Sequence, residues 1–510
     1  MPGNRRQIVL IAMILANAMI LVDQTAVPLA LPSIMNEFGV GTQVAQWVLN
    51  LSLLALSGFL ILGGRLGDQF GRRRIFLIGT VAFAGGSALG GASPAFVVLL
   101  AARVVQGLGG ALMLPTSVAI VSAAYPSSER GRALGTMGGV AAIAGALGPT
   151  IGGALTSAAS WRLVLLVNVP LAIACVVAAE SAVPADAART NESRVDFGGA
   201  GLFCLAIVGL VFGLTETQTE SLASPIVVAA LVVAVASGAA FVWWERRSTD
   251  PLMDLHLLRH TRNYLGAVVS QGLAGMVEMG LGLVFPLLLI LNLGMSPVVA
   301  GLALIPTTIP MIFLSTPVGR WYDRAGGRPP LVAGFAILAV SGLALLLGVH
   351  VQQPSADHYF ALLPGLVLFG TGLALVLTAN DPVSLDSVDD ELAGQASGVS
   401  ATAEQAGGAI GIAVLYGVFH VTYIHRLNAL AHGLTQAQGQ KLKDALQAAE
   451  QTGLQPQHFD QSLTRYLEPA FDASKLGYGA VFIAVTVISA IGAFSVARLV
   501  RPPAEGEGSA

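Results

Sequence analysis

The chain has 510 residues, of which 54% are hydrophobic and 11% charged. An average globular protein carries about 25% charged residues, so this composition excludes a single large soluble domain. A net charge of -3 excludes a basic nucleic-acid surface, and the two cysteines, Cys175 and Cys204, both fall in apolar runs that suit neither a disulfide framework nor a metal site.

In chain order, the first apolar run covers residues 8–30 and is interrupted only by Asn17 and Asp23. It is too long for a signal-peptide core and reads as the first membrane helix. Further runs follow at 44–63, 76–93, 96–120, 131–156, 161–180 and 197–214, then at 224–244, 264–291, 298–319, 330–349, 360–380, 393–419 and 476–498. Each approaches the roughly 20 apolar residues that cross a bilayer, which predicts fourteen transmembrane helices in an all-α integral membrane protein. The expected organisation is a six-helix bundle over 1–180, two additional linker helices over 197–244, and a second six-helix bundle over 262–498. A long polar loop rich in Gln and Ala spans 420–475 in this reading, and Leu442, Ala445, Leu446 and Ala449 give it partial helical spacing.

Orientation follows from charge. With the N-terminus in the cytoplasm, most of the 26 Lys and Arg residues fall in cytoplasmic segments, including Arg72, Arg73 and Arg74. Shifting the map by one helix would put that cluster outside, against the positive-inside rule. The even span count places both termini in the cytoplasm.

Two cytoplasmic loops share a pattern. Gly64-Arg65-Leu66-Gly67-Asp68-Gln69-Phe70-Gly71-Arg72 follows the second helix, and Gly319-Arg320-Trp321-Tyr322-Asp323-Arg324-Ala325-Gly326 follows the tenth. Both read G-R-x-x-D-x-x-G. Glycine permits a very short turn, arginine meets anionic lipid headgroups, and aspartate can pair with an arginine or a helix N-terminus. Repeated halves of this kind are a transporter signature.

The first loop resembles the cytoplasmic loop motif of the major facilitator superfamily. Leu99 to Ala111, with Arg103, Gln106 and Gly107, resembles that superfamily's helix-four motif, and Gly148-Pro149-Thr150-Ile151-Gly152-Gly153 its helix-five antiporter motif. Asp23-Gln24-Thr25 through Ala30-Leu31-Pro32 is similar to the helix-one motif of the fourteen-span drug:proton antiporters, as are Trp161-Arg162, Asn168-Val169-Pro170 and Asp196-Phe197-Gly198. The sequence departs from the pattern at Pro28, where Asn is usual, and at Glu404, where many relatives have Arg before Gln405. The resemblance implies a major facilitator fold and a proton-coupled transporter with no organic cofactor, driven by the proton gradient.

Ionisable groups at membrane depth are costly and are functional candidates by default. Four lie near mid-span: Asp23, Arg103, Glu278 and Glu404. A desolvated carboxylate holds its proton more tightly and a nearby cation loosens it, which is the physical minimum for proton coupling. Asp23 leads, because the resemblance implies a coupling or cation-recognition role for it. The resemblance implies a relay or gating role for Arg103. Glu404 and Glu278 are candidates both for coupling and for cationic substrate, and Gln24, Trp47, Asn50, Gln271, Phe285 and Tyr416 could line a cavity. Gly145, Gly148, Pro149, Gly152 and Gly153 suit a close-packed, bendable helical seam. Gly64, Asp68, Gly71, Arg72 and Asp323 are read as loop residues that serve conformational switching.

The function expected is an exporter of hydrophobic compounds, cationic ones in particular, across the bacterial inner membrane in exchange for protons. Its partners would be those substrates, protons and membrane lipids, and a monomer is expected. Two readings stay open beside it: a dedicated exporter of one endogenous metabolite, antibiotic or lipid, and a receptor or scaffold on a transporter fold. The sequence shows no metal-ligand cluster, no nucleophile–base spacing and no phosphate-binding loop, so no enzyme is expected.

Overall fold

The computed structural model describes residues 3–186, 196–217, 220–248, 253, 258, 261–351, 356–388, 393–431 and 467–501. Among these residues helices are the regular secondary structure, joined by short turns. The first part comprises α1 (Gly3–Phe38), α2 (Thr42–Ala45), α3 (Trp47–Phe70), α4 (Arg72–Gly91) and α5 (Phe96–Ala124), then α6 (Ser127–Ala158), α7 (Arg162–Leu166) and α8 (Asn168–Ala182). Two helices follow, α9 (Phe197–Glu216) and α10 (Pro225–Glu245). The last part comprises α11 (Arg262–Pro286), continued by a π-helical turn (Leu287–Asn292), α12 (Pro297–Ala303), α13 (Ile305–Ala325) and α14 (Arg328–Val351). It closes with α15 (Leu363–Leu385), α16 (Ala393–Ala431) and α17 (Leu467–Leu499).

Thirteen of these segments are long and apolar enough to cross a membrane, and α6 makes a fourteenth although it bends by 42° between Ala133–Gly145 and Leu147–Ala158. The bend has a local cause. Pro149 has no N–H to give to the carbonyl four residues back, that of Gly145. The Thr25 hydroxyl of α1 donates to that Gly145 oxygen instead, at 2.8 Å. The freed backbone group is satisfied inside the protein, as a membrane interior requires.

Several helix ends differ from the hydropathy reading. The first helix runs on to Phe38, and α16 continues past residue 420 to Ala431, while α17 already begins at Leu467. The polar segment is therefore shorter than 420–475. Hydropathy marks where lipid ends, whereas backbone hydrogen bonds continue the helix through polar residues such as His425 and Arg426. The stretch 432–466, with Leu442, Ala445, Leu446 and Ala449, lies outside the described residues.

The packing repeats. In the first part α1 packs on α6, α5 on both α3 and α4, and α8 on α4; in the last part α11 packs on α16, α15 on both α13 and α14, and α17 on α14. The two parts meet along α3 and α16 on one side and along α6 and α12 on the other. Helix α9 pairs with α10 and leans on α3 and α16. Large apolar side chains such as Val235, Phe313, Leu347 and Phe494 point outward and are more than 60% exposed. Water would penalise such a belt, whereas lipid accommodates it. Inside, an apolar cluster drawn from both parts, including Leu31, Ile34, Trp161, Leu283 and Tyr416, seals one end of the junction.

Candidate functional site

Two polar constellations lie in this apolar interior. The first is dry. Asp23 on α1 and Arg103 on α5 form an ion pair with 2.6 Å between NH1 and Oδ2, and both side chains are 2% exposed. The Arg103 Nε donates to the Val48 carbonyl of α3 at 2.8 Å. Gln106 donates to Asp23 Oδ1 at 2.8 Å and to Ser87 of α4 at 2.9 Å, and Asn168 of α8 reaches both of the same oxygens at 3.3 Å. The network thus ties together five helices around one charge pair. Its neutrality matters, because removing one partner of such a pair typically costs about 3–5 kcal/mol. Arg103 and Gln106 occupy one face of α5 three residues apart, which is what their helical spacing provides.

The second constellation lines a cavity of about 660 Å³ between the two parts. Its walls carry Gln24, Leu49 and Leu53 from the first part and Gln271, Glu278, Phe285, Phe369, Asp381 and Glu404 from the second. Gln271 on α11 donates its amide to Glu404 Oε2 on α16. Gln24 on α1 donates to Gln405 on α16 at 2.9 Å, a bond across the junction. Phe285 and Phe369 meet edge to face at 5.4 Å. Among the described lining residues Arg103 is the one cation, and Asp23, its counter-charge, stands behind the wall rather than in it.

The four mid-span ionisable residues read from the sequence thus separate into an ion pair, Asp23 and Arg103, of which only Arg103 reaches the cavity wall, and two carboxylates in that wall, Glu278 and Glu404. Of the residues expected to line a cavity, Gln24, Gln271 and Phe285 do so. Three do not. Trp47 packs toward Phe212 of α9, with ring centroids 6.1 Å apart, and Asn50 is fully buried. On α3, whose cavity face Leu49 and Leu53 occupy, Asn50 is turned from them by roughly 60–100° and Trp47 by roughly 120–160°. Tyr416 is 2% exposed in the apolar seal, one turn beyond the lining residue Ile412.

Asp381 was not among the sequence candidates. The fifteenth helix, α15, extends to Leu385, beyond the expected end at 380, so Asp381 belongs to the helix and faces the cavity. The signal was the Asn380-Asp381-Pro382 triplet, which imitates a helix exit.

The cavity is wide at one end and closed at the other. At the wide end stand Gly135, Gly138 and Gly139 of α6 opposite Met311, Ile312 and Ser315 of α13, and a methyl group added at any of those three glycines would meet nothing within 4 Å. At the closed end α6 touches α12. Thr150 donates to the Gly301 carbonyl at 3.2 Å, and Ser157 accepts from the Val298 N–H at 3.1 Å. Glycines make this approach possible: a Cβ on Gly153 would run into the Pro297 carbonyl, and one on Gly301 would lie 3.1 Å from Thr150 Cα. Gly148 and Gly152 press on Thr25 and Ala26 of α1 in the same way, and Gly145 abuts Leu21. Glu37 closes the same end by accepting from both Trp161 and Arg162 at 2.6 Å.

The two repeated loops sit beside the wide end. Gly71 and Gly326 have φ of 101° and 72°, the left-handed conformation that the turn reading requires. Arg72 makes two bonds to Asp68 Oδ1, at 3.0 and 2.8 Å, and one to the Ala119 carbonyl. Asp186 accepts from the backbone N–H groups of Arg73 and Arg74 and so caps α4. In the second loop Asp323 is exposed, and Tyr322 instead donates to Asp386 at 2.5 Å. Gly64 rests against Pro115.

Two pseudo-repeated helical parts around a central cavity define a secondary-transporter fold. Comparison with known proteins agrees. Residues 13–412 match the family model of the Major Facilitator Superfamily, and the chain belongs to that family. It is 36% identical over 414 residues to a multidrug resistance protein, Stp, of Mycobacterium tuberculosis, covering 81% of this chain and 76% of that one. It is 33% identical to a puromycin resistance protein of Streptomyces alboniger, covering 81% of this chain and 82% of that one. Among solved structures, a bacterial homologue of the human lysosomal transporter Spinster, in an inward-facing and unoccupied conformation, superimposes with a TM-score of 0.65 over 98% of both chains at 15% identity. That likeness bears on the fold. The chain is a multi-pass membrane transporter and not an enzyme.

Proposed function

We propose that this chain exports hydrophobic drugs, cationic ones in particular, across the bacterial inner membrane in exchange for protons. The observation that carries the reading is the charge balance of the cavity. Among the described residues three carboxylates, Glu278, Asp381 and Glu404, line it, and the one cation, Arg103, is already matched by Asp23. Such a lining attracts cations, while Phe285, Phe369, Leu49 and Leu53 offer apolar contact to an organic body. Protons compete with an organic cation for the same carboxylates, so loading one side of the exchange releases the other. The proton gradient then drives export without an organic cofactor. The names of the relatives, multidrug and puromycin resistance, support drugs as the substrate class.

In this proposal the wide end faces the cytoplasm, since the arginine-bearing loops at 65–74 and 320–328 adjoin it, and both termini lie in the cytoplasm with them. The first six spans and the last six act as two rocking bundles, with 197–244 as a linker pair. Asp23, behind the wall, and Arg103, at it, hold the first bundle together, and Glu278 and Glu404 exchange protons for substrate. Trp47, Asn50 and Tyr416 act through packing, and the glycines of α6 with Pro149 and the loop residues Gly64, Asp68, Gly71, Arg72 and Asp323 act in switching. The working unit is a monomer in lipid. A dedicated exporter is the second reading, favoured by relatives named for single compounds such as tetracenomycin C and lincomycin. The test is proton release from detergent-purified protein on adding members of a chemically varied panel. Release by several unrelated cations supports the proposal; release by one compound supports the second reading; binding with no release removes proton exchange.

A further inference from the structure

The corner of the cavity formed by α11 and α16 has an imbalance that charge does not describe. Gln271 and Glu278 lie seven residues apart on α11, two turns along one face. Gly275 lies between them, and a Cβ there would sit 2.9 Å from the Glu404 backbone carbon. That bare spot lets α16 come close enough for Glu404 to stand beside both side chains. Gln271 is only 4% exposed, and its amide nitrogen is committed to the Glu404 carboxylate. This fixes the orientation of the amide and turns its oxygen away, where it is buried with no hydrogen-bond partner. Glu278 Oε2 is likewise buried and unpartnered, as is the oxygen of Gln24 across the cavity.

Among the described lining residues most hydroxyl donors are already committed, that of Thr378 apart. The hydroxyls of Thr25, Thr307, Thr308 and Ser315 all donate to backbone carbonyls of Leu21, Leu304, Ile305 and Ile312. Arg103 is held by Val48, Asp23 and Gln106. The corner and the wall facing it thus hold three buried, unpartnered acceptor oxygens, on Gln24, Gln271 and Glu278, which an N–H would meet and a positive charge alone would not.

We infer that Gln271, Glu278 and Glu404 form a subsite for a protonated amine, and that it discriminates against a quaternary ammonium of equal charge and similar size. The inference rests on the proposed export of organic cations and names which cations. A protonated amine brings an N–H that pairs with the Gln271 oxygen or with Glu278. A quaternary ammonium satisfies the charge and leaves the buried acceptors unpaired. A lost hydrogen bond to a charged group in such a site corresponds to about a tenfold or greater loss of affinity.

The experiment compares (naphthylmethyl)dimethylammonium with (naphthylmethyl)trimethylammonium, measured as dissociation constants on the full chain in detergent at pH 7. The expected result is at least about tenfold tighter binding of the dimethyl compound, with the ratio falling toward one in Gln271→Met. If Gln271 served only to orient Glu404, Gln271→Met would weaken both ligands equally and keep the ratio, which overturns the inference. Equal binding of the two cations by the parent protein also overturns it and leaves organic-cation export standing. Binding of neither cation overturns both the inference and the cationic part of the proposed function. Should Gln271→Met not fold, Glu278→Gln serves: it places an N–H donor in the corner, and an unchanged ratio refutes the subsite.

Discussion

The backbone contact between Gly153 and Pro297 sets how firmly one end of the cavity is shut, and Gly153→Ala tests it. The added methyl would run into the Pro297 carbonyl oxygen, 2.9 Å from its carbon and 3.2 Å from Val298 Cα. All three are backbone atoms, so no side chain can rotate away. Helices α6 and α12 must separate by some tenths of an ångström, and overpacking of this kind costs about 1–3 kcal/mol. The cost falls only on a state in which the two helices touch. A bias of about 1–3 kcal/mol between two conformations changes their ratio roughly 5–150-fold, so the closed end should open and the wide end should narrow. A reporter cysteine at Ser315, in a background with Cys175 and Cys204 replaced by serine, reads the wide end through its rate of maleimide labelling in detergent. Gly153→Ala should slow that labelling several-fold, while Gly138→Ala, whose methyl meets nothing within 4 Å, should not slow it. Equal labelling of the parent and Gly153→Ala, in protein that elutes as a folded species, would refute the reasoning that this seam governs the equilibrium.

Asp23→Asn should lower the thermal midpoint in size-exclusion assays, because it strands Arg103 at 2% exposure without a counter-charge; the expected cost is about 3–5 kcal/mol, partly recovered by adding Arg103→Gln. A midpoint equal to the parent's would show that the pair is not structural. Glu404→Gln should reduce efflux of cationic compounds more than of neutral ones in the same vesicles, and equal reductions would remove Glu404 as a counter-charge. Single cysteines within 65–74 and 320–328 should react with an impermeant maleimide only from the cytoplasmic face, and labelling from outside would reverse the proposed orientation. Gly275→Ala should diminish cation binding without unfolding the protein, because its methyl displaces the Glu404 backbone; unchanged binding would show that Glu404 does not depend on that approach.

That this chain is a bundle of membrane helices is legible from its residues alone, because apolar length and charge asymmetry are local properties that lipid and water read segment by segment. The sequence also identified the family, through motifs whose glycines, proline and charges recur at fixed spacings, and it singled out Asp23, Arg103, Glu278 and Glu404, since a charge within an apolar run stands out without coordinates. What it left undecided was which charges meet. Asp23 and Arg103 are 80 residues apart in the chain and in direct contact in the fold, while Glu278 and Glu404 share a cavity wall. Only the packing of α1 on α5, and of α11 on α16, sorts a paired carboxylate, Asp23, from carboxylates that face the cavity. The same holds for the face each residue presents: helical periodicity is too weak in these uniformly apolar spans to tell Leu49 from Asn50, and a rotation of roughly 100° separates cavity from core. Asp381 stayed hidden because Asn380 and Pro382 resemble a helix exit, and tertiary contacts carried the helix beyond them. The closed and wide ends of the cavity, finally, are a property of two bodies and not of any segment: the glycines of α6 look alike in sequence, and only the position of α12 and α13 makes some of them a tight seam and leaves the others facing open space.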